Sequence, residues 1–247
     1  MRTPLFLALL TLVIPLSRAD EITVSAAASL TNAFQEIAEA FEQDSPGHSV
    51  RLNFAGSDVL LQQLASGAPV DILASADQFT MDQAEGRNLV TSASRRNFAS
   101  NTLVLITPSA GNAVQRLDAL LGPGYERIAV SNPLTVPAGR YSRDALAALQ
   151  LWLPMQDRII RTQNVRQTLD YVARNEVDAG FVYSTDAALM ADKVSVQLTV
   201  PTTEPILYPV AITREGARKP ASALFVAFLL GQSGQDVLVR HGFGRAE

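Results

Sequence analysis

The sequence predicts an α/β protein of two lobes, each a mainly parallel sheet flanked by helices. Three observations predict it. Apolar β runs and amphipathic helical runs alternate along the chain, the pattern of strands joined by helical crossovers. No low-complexity tract, long linker or sequence repeat interrupts them. The 247 residues, less a targeting segment over 1–19, leave enough chain for two lobes of roughly 100–120 residues each.

The targeting segment comes first. Arg2 supplies its charge, Leu5–Leu16 its short apolar run, and Ser17-Arg18-Ala19 an S-x-A cleavage site, so the mature chain is expected to begin at Asp20. The run is too short to span a membrane as a helix, and no later run is long and apolar enough. Ile22–Ala26 then reads as a strand, and the helix after it places Phe34, Ile37, Ala38 and Phe41 on one face. Val50–Phe54 alternates as a strand, Asp58–Ser66 is helical with Gly67 as its stop, and Val70–Ala74 is a buried strand. Thr102–Thr107 is a strand closed by Pro108. Ile128–Ser131 is another, followed by a helix from Pro137 through Leu149. Ile159–Thr162 is extended, Val165–Arg174 helical, and Ala179–Tyr183 a strand. Leu207–Ile212 is extended, and helices over Ala221–Leu230 and Gly234–His241 close the chain. The expected domains are residues 20–101 plus 205–247 for lobe I and 102–204 for lobe II, with the terminal helices back on lobe I. Two crossings of this kind make a hinge, with a cleft between lobes where ligands tend to bind.

Composition narrows the function. There is no cysteine, which excludes disulfides, thiolate metal sites, a cysteine nucleophile and a lipid-bearing N-terminal cysteine. An exported bacterial chain without that anchor fits the periplasm of a Gram-negative cell. Removing the targeting segment leaves 18 basic against 24 acidic residues, a net charge of −6, so the overall field offers nothing to nucleic acid. An anion ligand would have to be held by local dipoles.

Four strand-to-helix junctions could do so: Ala26-Ala-Ala-Ser29, Phe54-Ala-Gly-Ser57-Asp58, Val136-Pro-Ala-Gly139-Arg140-Tyr141 and Asn164-Val-Arg166. Helix starts carry unpaired N–H groups and a partial positive charge. Small residues around Ser29 let a ligand approach that backbone. Taken singly, each junction is most simply a helix cap, since Ser and Asn favour that position and Pro137 suits a first turn. Tyr183 ends an apolar strand; it reads either as core or, at a cleft edge, as a hydroxyl donor. His48 and His241 stand alone and read as surface or packing residues. No zinc-protease, nucleophile-elbow or Walker motif occurs. A serine hydrolase using Ser29 or Ser57 would need a base that no recognisable motif supplies.

The segments ITVSAAASLTNAFQEIA, NFAGSDVLLQQLASGAPVDILASADQFTMDQA, VPAGRYSRDAL, NVRQTLDYVARNEVDAGFVYSTDA and YPVAI, in this order, resemble the periplasmic molybdate-binding proteins of ABC transporters over nearly the whole mature chain. The resemblance implies a type II periplasmic-binding-protein fold and a binding protein rather than an enzyme. It implies a tetrahedral oxyanion held by the hydroxyls of Ser29, Ser57 and Tyr183 and by the backbone N–H groups of Ala138 and Val165. It further implies no cofactor and no cation site, a monomer, and an inner-membrane permease and ATPase as partners. The chemistry is coherent: molybdate carries no proton at neutral pH and needs donors only, which hydroxyls and N–H groups supply. Tungstate, of nearly the same size and charge, is expected to bind as well. Sulfate has shorter bonds and cannot reach every donor of a rigid cage, leaving buried N–H groups unpaired.

Asp58 keeps other anions open. It reads as a first-turn carboxylate facing solvent, or else as an acceptor for a protonated oxyanion such as hydrogen phosphate. Sulfate, phosphate and chromate are therefore the alternative ligands. Arg140 and Arg166 stand beside two donor positions and are expected at the cleft rim or in lobe closure.

Overall fold

The computed structural model describes residues 20–246; the expected targeting segment lies outside the described residues. Two five-stranded sheets make two lobes built on one plan. In the first, β1 (Asp20–Ala27) runs between β2 (His48–Ala55) and β3 (Ile72–Ala74), parallel to both. Beyond β3 lie β10 (Ile206–Ile212) and then β4 (Arg96–Asn101), each antiparallel to its neighbour. In the second, β6 (Ile128–Ser131) runs between β7 (Ile159–Thr162) and β8 (Ala179–Tyr183), again parallel to both. Beyond β8 lie β5 (Leu103–Pro108) and β9 (Val194–Thr199), both antiparallel.

Parallel pairing thus holds for three strands of each sheet, and the antiparallel strands have a definite origin. The chain leaves the first lobe along β4 and enters the second along β5 with only Thr102 between them. It returns from β9 to β10. Two crossings in opposite directions run antiparallel side by side, so β4 pairs with β10 and β5 with β9.

Among the described residues eight α-helices cover the sheets: α1 (Thr31–Asp44), α2 (Ser57–Ala65), α3 (Gln78–Gly86), α4 (Pro137–Ala148), α5 (Val165–Ala173), α6 (Ser184–Ala188), α7 (Pro220–Leu230) and α8 (Gln232–Arg240). The last two return to the first lobe, where α7 packs on β1 and β10 and α8 on α1. Phe34 and Phe41, one face of α1, are fully buried there. Phe41 meets Phe225 of α7 edge-on at 5.3 Å, and Phe34 lies 5.7 Å from Phe98 of β4. Each such burial contributes roughly 1.5–3 kcal/mol, so this aromatic cluster ties the C-terminal helices to the N-terminal strand. In both lobes the parallel strands point their carboxyl ends at the interlobe cleft, the end where open α/β sheets bind ligands.

Candidate functional site

Each parallel strand of the cleft is followed, after five residues or fewer, by a helix. After β1 the chain makes a 3-10 turn, Ala28–Leu30, before α1. After β2 a single residue, Gly56, precedes α2. In the second lobe Val136 precedes α4 with Pro137 at its first position, and Asn164 caps α5 by accepting a hydrogen bond from the Gln167 N–H at 3.0 Å.

Asn164 is the one residue among the four junctions whose side chain caps its own helix. Ser29 lies inside the 3-10 turn and makes no cap bond; its Oγ is 3.1 Å from the hydroxyl of Tyr208 on β10. Ser57 is the first residue of α2 and makes no cap bond either; its Oγ accepts the Ala76 N–H at 3.1 Å. The cap reading of the two serines is thereby corrected. Small residues before each helix bring the backbone round without help from the serine, and the hydroxyls are turned elsewhere.

Both serines line a small cavity between the lobes. Ser29 and Ser57 line it from the first lobe, Ala138, Val165 and Tyr183 from the second. Ala27, Ala28, Ala55 and Ala76 make much of the wall between them, with Gly56, Val136, Pro137 and Asn164 completing it. No charged side chain lines the cavity. Val165 and Ala138 occupy the first and second positions of α5 and α4, where a helix has no preceding carbonyl to accept their N–H groups. Tyr183 is buried, and its Oη has no hydrogen-bond partner among the described residues. Burial pushes its pKa well above the ordinary phenol value, so its proton stays on. Hydroxyls and N–H groups gathered at converging helix starts suit a fully ionised anion.

The charges sit outside this cage and bridge the lobes. Arg140 of α4 reaches across to Asp77, with Nη2 at 2.6 Å and Nε at 2.9 Å from Oδ2. The same Nη2 is 2.8 Å from Asp58 Oδ2 and donates to Thr80 Oγ1 at 2.9 Å. The guanidinium also stacks over Phe79, 4.8 Å from its centroid. Asp58 is therefore not a solvent-facing carboxylate. It is buried, absent from the cavity wall and ion-paired across the cleft. Burial raises its pKa, and Arg140 pulls it back only in part.

Arg166 of α5 makes the second bridge. Its Nη1 donates to Asn32 Oδ1 at 2.8 Å and its Nη2 to the Ser29 carbonyl at 3.0 Å, both in the first lobe. Its Nε lies 2.6 Å from Asp186 Oδ1 in its own lobe. His48 and His241 are remote from the cavity: His48 stacks on Phe41 and His241 binds Glu36.

A model of the bacterial extracellular solute-binding proteins matches residues 22–244. The chain belongs to that family. Among solute-binding proteins it is similar to the molybdate-binding protein ModA of Escherichia coli, at 37% identity over 91% of this chain and 90% of the relative. It is likewise similar to ModA of Haemophilus influenzae, at 35% identity over 90% and 89%. Its fold superposes on the periplasmic molybdate-binding protein of Azotobacter vinelandii with a TM-score of 0.79 at 24% identity, covering 92% of this chain and 100% of that one. These relatives are solute-binding proteins, which implies a transport role.

Proposed function

We propose that the protein captures molybdate, with tungstate as an equally acceptable ligand, in the periplasm and hands it to the permease and ATPase of an ABC importer. One observation carries the reading. Two serine hydroxyls, an otherwise unpartnered tyrosine hydroxyl and two free helix-start N–H groups converge on one cavity without a charged side chain in its wall. The relatives named above support the choice of anion. Ser29, Ser57, Ala138, Val165 and Tyr183 are the ligands in this proposal.

The energetics suffice. Charge-assisted hydrogen bonds contribute about 1.5–3 kcal/mol each. Five give roughly 7–15 kcal/mol before the costs of ordering and closure. Micromolar binding requires about 8 kcal/mol. No countercharge is required in the wall, and none is there.

Calorimetric titration of the cleaved protein with molybdate, tungstate, sulfate, phosphate and chromate tests the proposal. Molybdate and tungstate should bind submicromolar and sulfate at least about a hundredfold more weakly. Sulfate binding as tightly as molybdate would sink it. The hydrogen-phosphate alternative loses its motive, because the carboxylate that suggested it faces Arg140.

A further inference from the structure

Ser29 carries one proton, and which way that proton points decides whether the serine gives or takes a hydrogen bond in the cavity. The structure settles the direction through two residues behind it. Asn101, the last residue of β4, accepts the Thr102 backbone N–H on its Oδ1 at 2.8 Å and the Ser184 hydroxyl at 3.0 Å. A backbone N–H can only donate, so the amide orientation is fixed. The Nδ2 group must then face Thr185 Oγ1, at 2.9 Å, and Tyr208 Oη, at 3.2 Å. An NH₂ group can only donate as well. Tyr208 Oη thus accepts from Asn101 and has its own proton to give. The partner within reach is Ser29 Oγ, 3.1 Å away. Tyr208 is fully buried, and burial raises its pKa well above the ordinary value, so the proton is retained.

We propose that Asn101 and Tyr208 are positioning residues: they form a relay, Asn101 Nδ2–H to Tyr208 Oη–H to Ser29 Oγ, that occupies a lone pair of Ser29 and leaves its proton for the bound oxyanion. The relay selects for anions that need donors and rests on the molybdate-binding reading above. It starts at the crossing between lobes, since Thr102 alone separates β4 from β5. The same Asn101 side chain holds Ser184 and Thr185, the residues directly after Tyr183. One amide at the hinge therefore sets the serine donor of the first lobe and braces the turn that carries the tyrosine donor of the second.

A double-mutant cycle on molybdate affinity tests the relay, with the full mature chain titrated calorimetrically. Tyr208→Phe keeps the ring packed on Phe98, Tyr183 and Phe243 and removes only the hydroxyl. It should weaken molybdate binding about tenfold in the unaltered protein and less than about twofold in a Ser29→Ala background. Asn101→Asp keeps the acceptor for Thr102 and replaces the donor facing Tyr208 with a second acceptor. It should likewise lose most of its effect once Ser29 is alanine. Equal losses in both backgrounds, for both variants, would mean that the residues act on the fold and not through Ser29, and would overturn the relay. No binding of molybdate by the unaltered protein would instead overturn the functional reading and the relay with it.

Discussion

A Cβ placed on Gly56 would lie 2.7 Å from the carbonyl oxygen of Thr135, on the opposite lobe. It would also meet the Val136 side chain at 3.0 Å. Gly56 has no positive φ to explain the glycine, so the close approach between lobes is what excludes a side chain. A methyl group there is a wedge. Gly56→Ala should leave the melting temperature of the ligand-free protein within about 2 °C of the original, an open cleft having room for the methyl group. Molybdate affinity should fall by about tenfold or more. The compaction on ligand addition seen by small-angle X-ray scattering should shrink or vanish.

Arg140 holds two aspartates of the other lobe with one guanidinium. Removing it leaves Asp58 and Asp77 facing each other in a desolvated joint, and such orphaned charges cost about 3–5 kcal/mol when they stay buried. The lobes can evade that cost by staying apart. Arg140→Met should therefore weaken molybdate binding strongly, by about a hundredfold, while changing ligand-free stability little. Asp58→Asn leaves Arg140 paired with Asp77. Its affinity should change less than about threefold, and phosphate should bind no better or worse, because Asp58 does not face the cavity. Parallel titrations of the two variants check both statements.

Among the described residues the buried Tyr183 hydroxyl has no hydrogen-bond partner, which costs stability. Tyr183→Phe removes that cost and the donor together. Chemical denaturation of the ligand-free variant should show stability unchanged or raised by about 1 kcal/mol. Calorimetry should show molybdate bound at least about tenfold more weakly. A stability loss with unchanged affinity would place the hydroxyl outside the anion cage.

Asp186 is fully buried, and its pKa is pushed up to about 6 from an ordinary 3.8 by burial, against the pull of Arg166. The folded state thus binds the proton more tightly than the unfolded chain. Its contribution to stability is full below about pH 3.8 and is lost as pH rises through about 6. The difference amounts to about 3 kcal/mol at most. Urea unfolding of the protein and of Asp186→Asn across pH 4 to 7 should show the gap between them moving in favour of the variant as pH rises. The buried Asp58, raised in the same direction, is common to both proteins and cancels in the comparison.

The strand-to-helix junctions were legible because each lies within its own short segment, but locally each read most simply as a cap, and only the resemblance to molybdate-binding proteins singled out Ser29, Ser57, Ala138, Val165 and Tyr183. Ala26-Ala-Ala-Ser29 and Val136-Pro-Ala138 announce a turn into a helix without reference to the rest of the chain. Tyr208 and Asn101 were not legible. Tyr208 meets Ser29 across 179 residues and Asn101 across 107, and nothing local to either marks it as polar machinery. Asp58 was misread for the same reason: a first-turn carboxylate normally faces water, and only the apposition of lobes supplies Arg140. The strands β4 and β9 escaped the sequence reading because neither has a buried period-two face. In β9 only Val194 is buried, and Arg96 and Asn97 of β4 are exposed. The 3-10 turn that displaces Ser29 from a cap position carries no distinct local signal, since Thr31 just after it closes back on Ala28 as any helix entrance can.

The separation of charges from the cage has a mechanical consequence. The groups that clamp the lobes together, Arg140 on Asp58 and Asp77 and Arg166 on Asn32, grip protein and not cargo. The groups proposed to grip cargo are hydroxyls and peptide dipoles, which cannot be switched off by a proton or a salt ion at neutral pH. Unloading is then a matter of leverage. Whatever pulls the lobes apart at their rim does its work on the arginine clamps, and the anion, stripped of half its donors at one stroke, leaves without any chemical change in the protein that carried it.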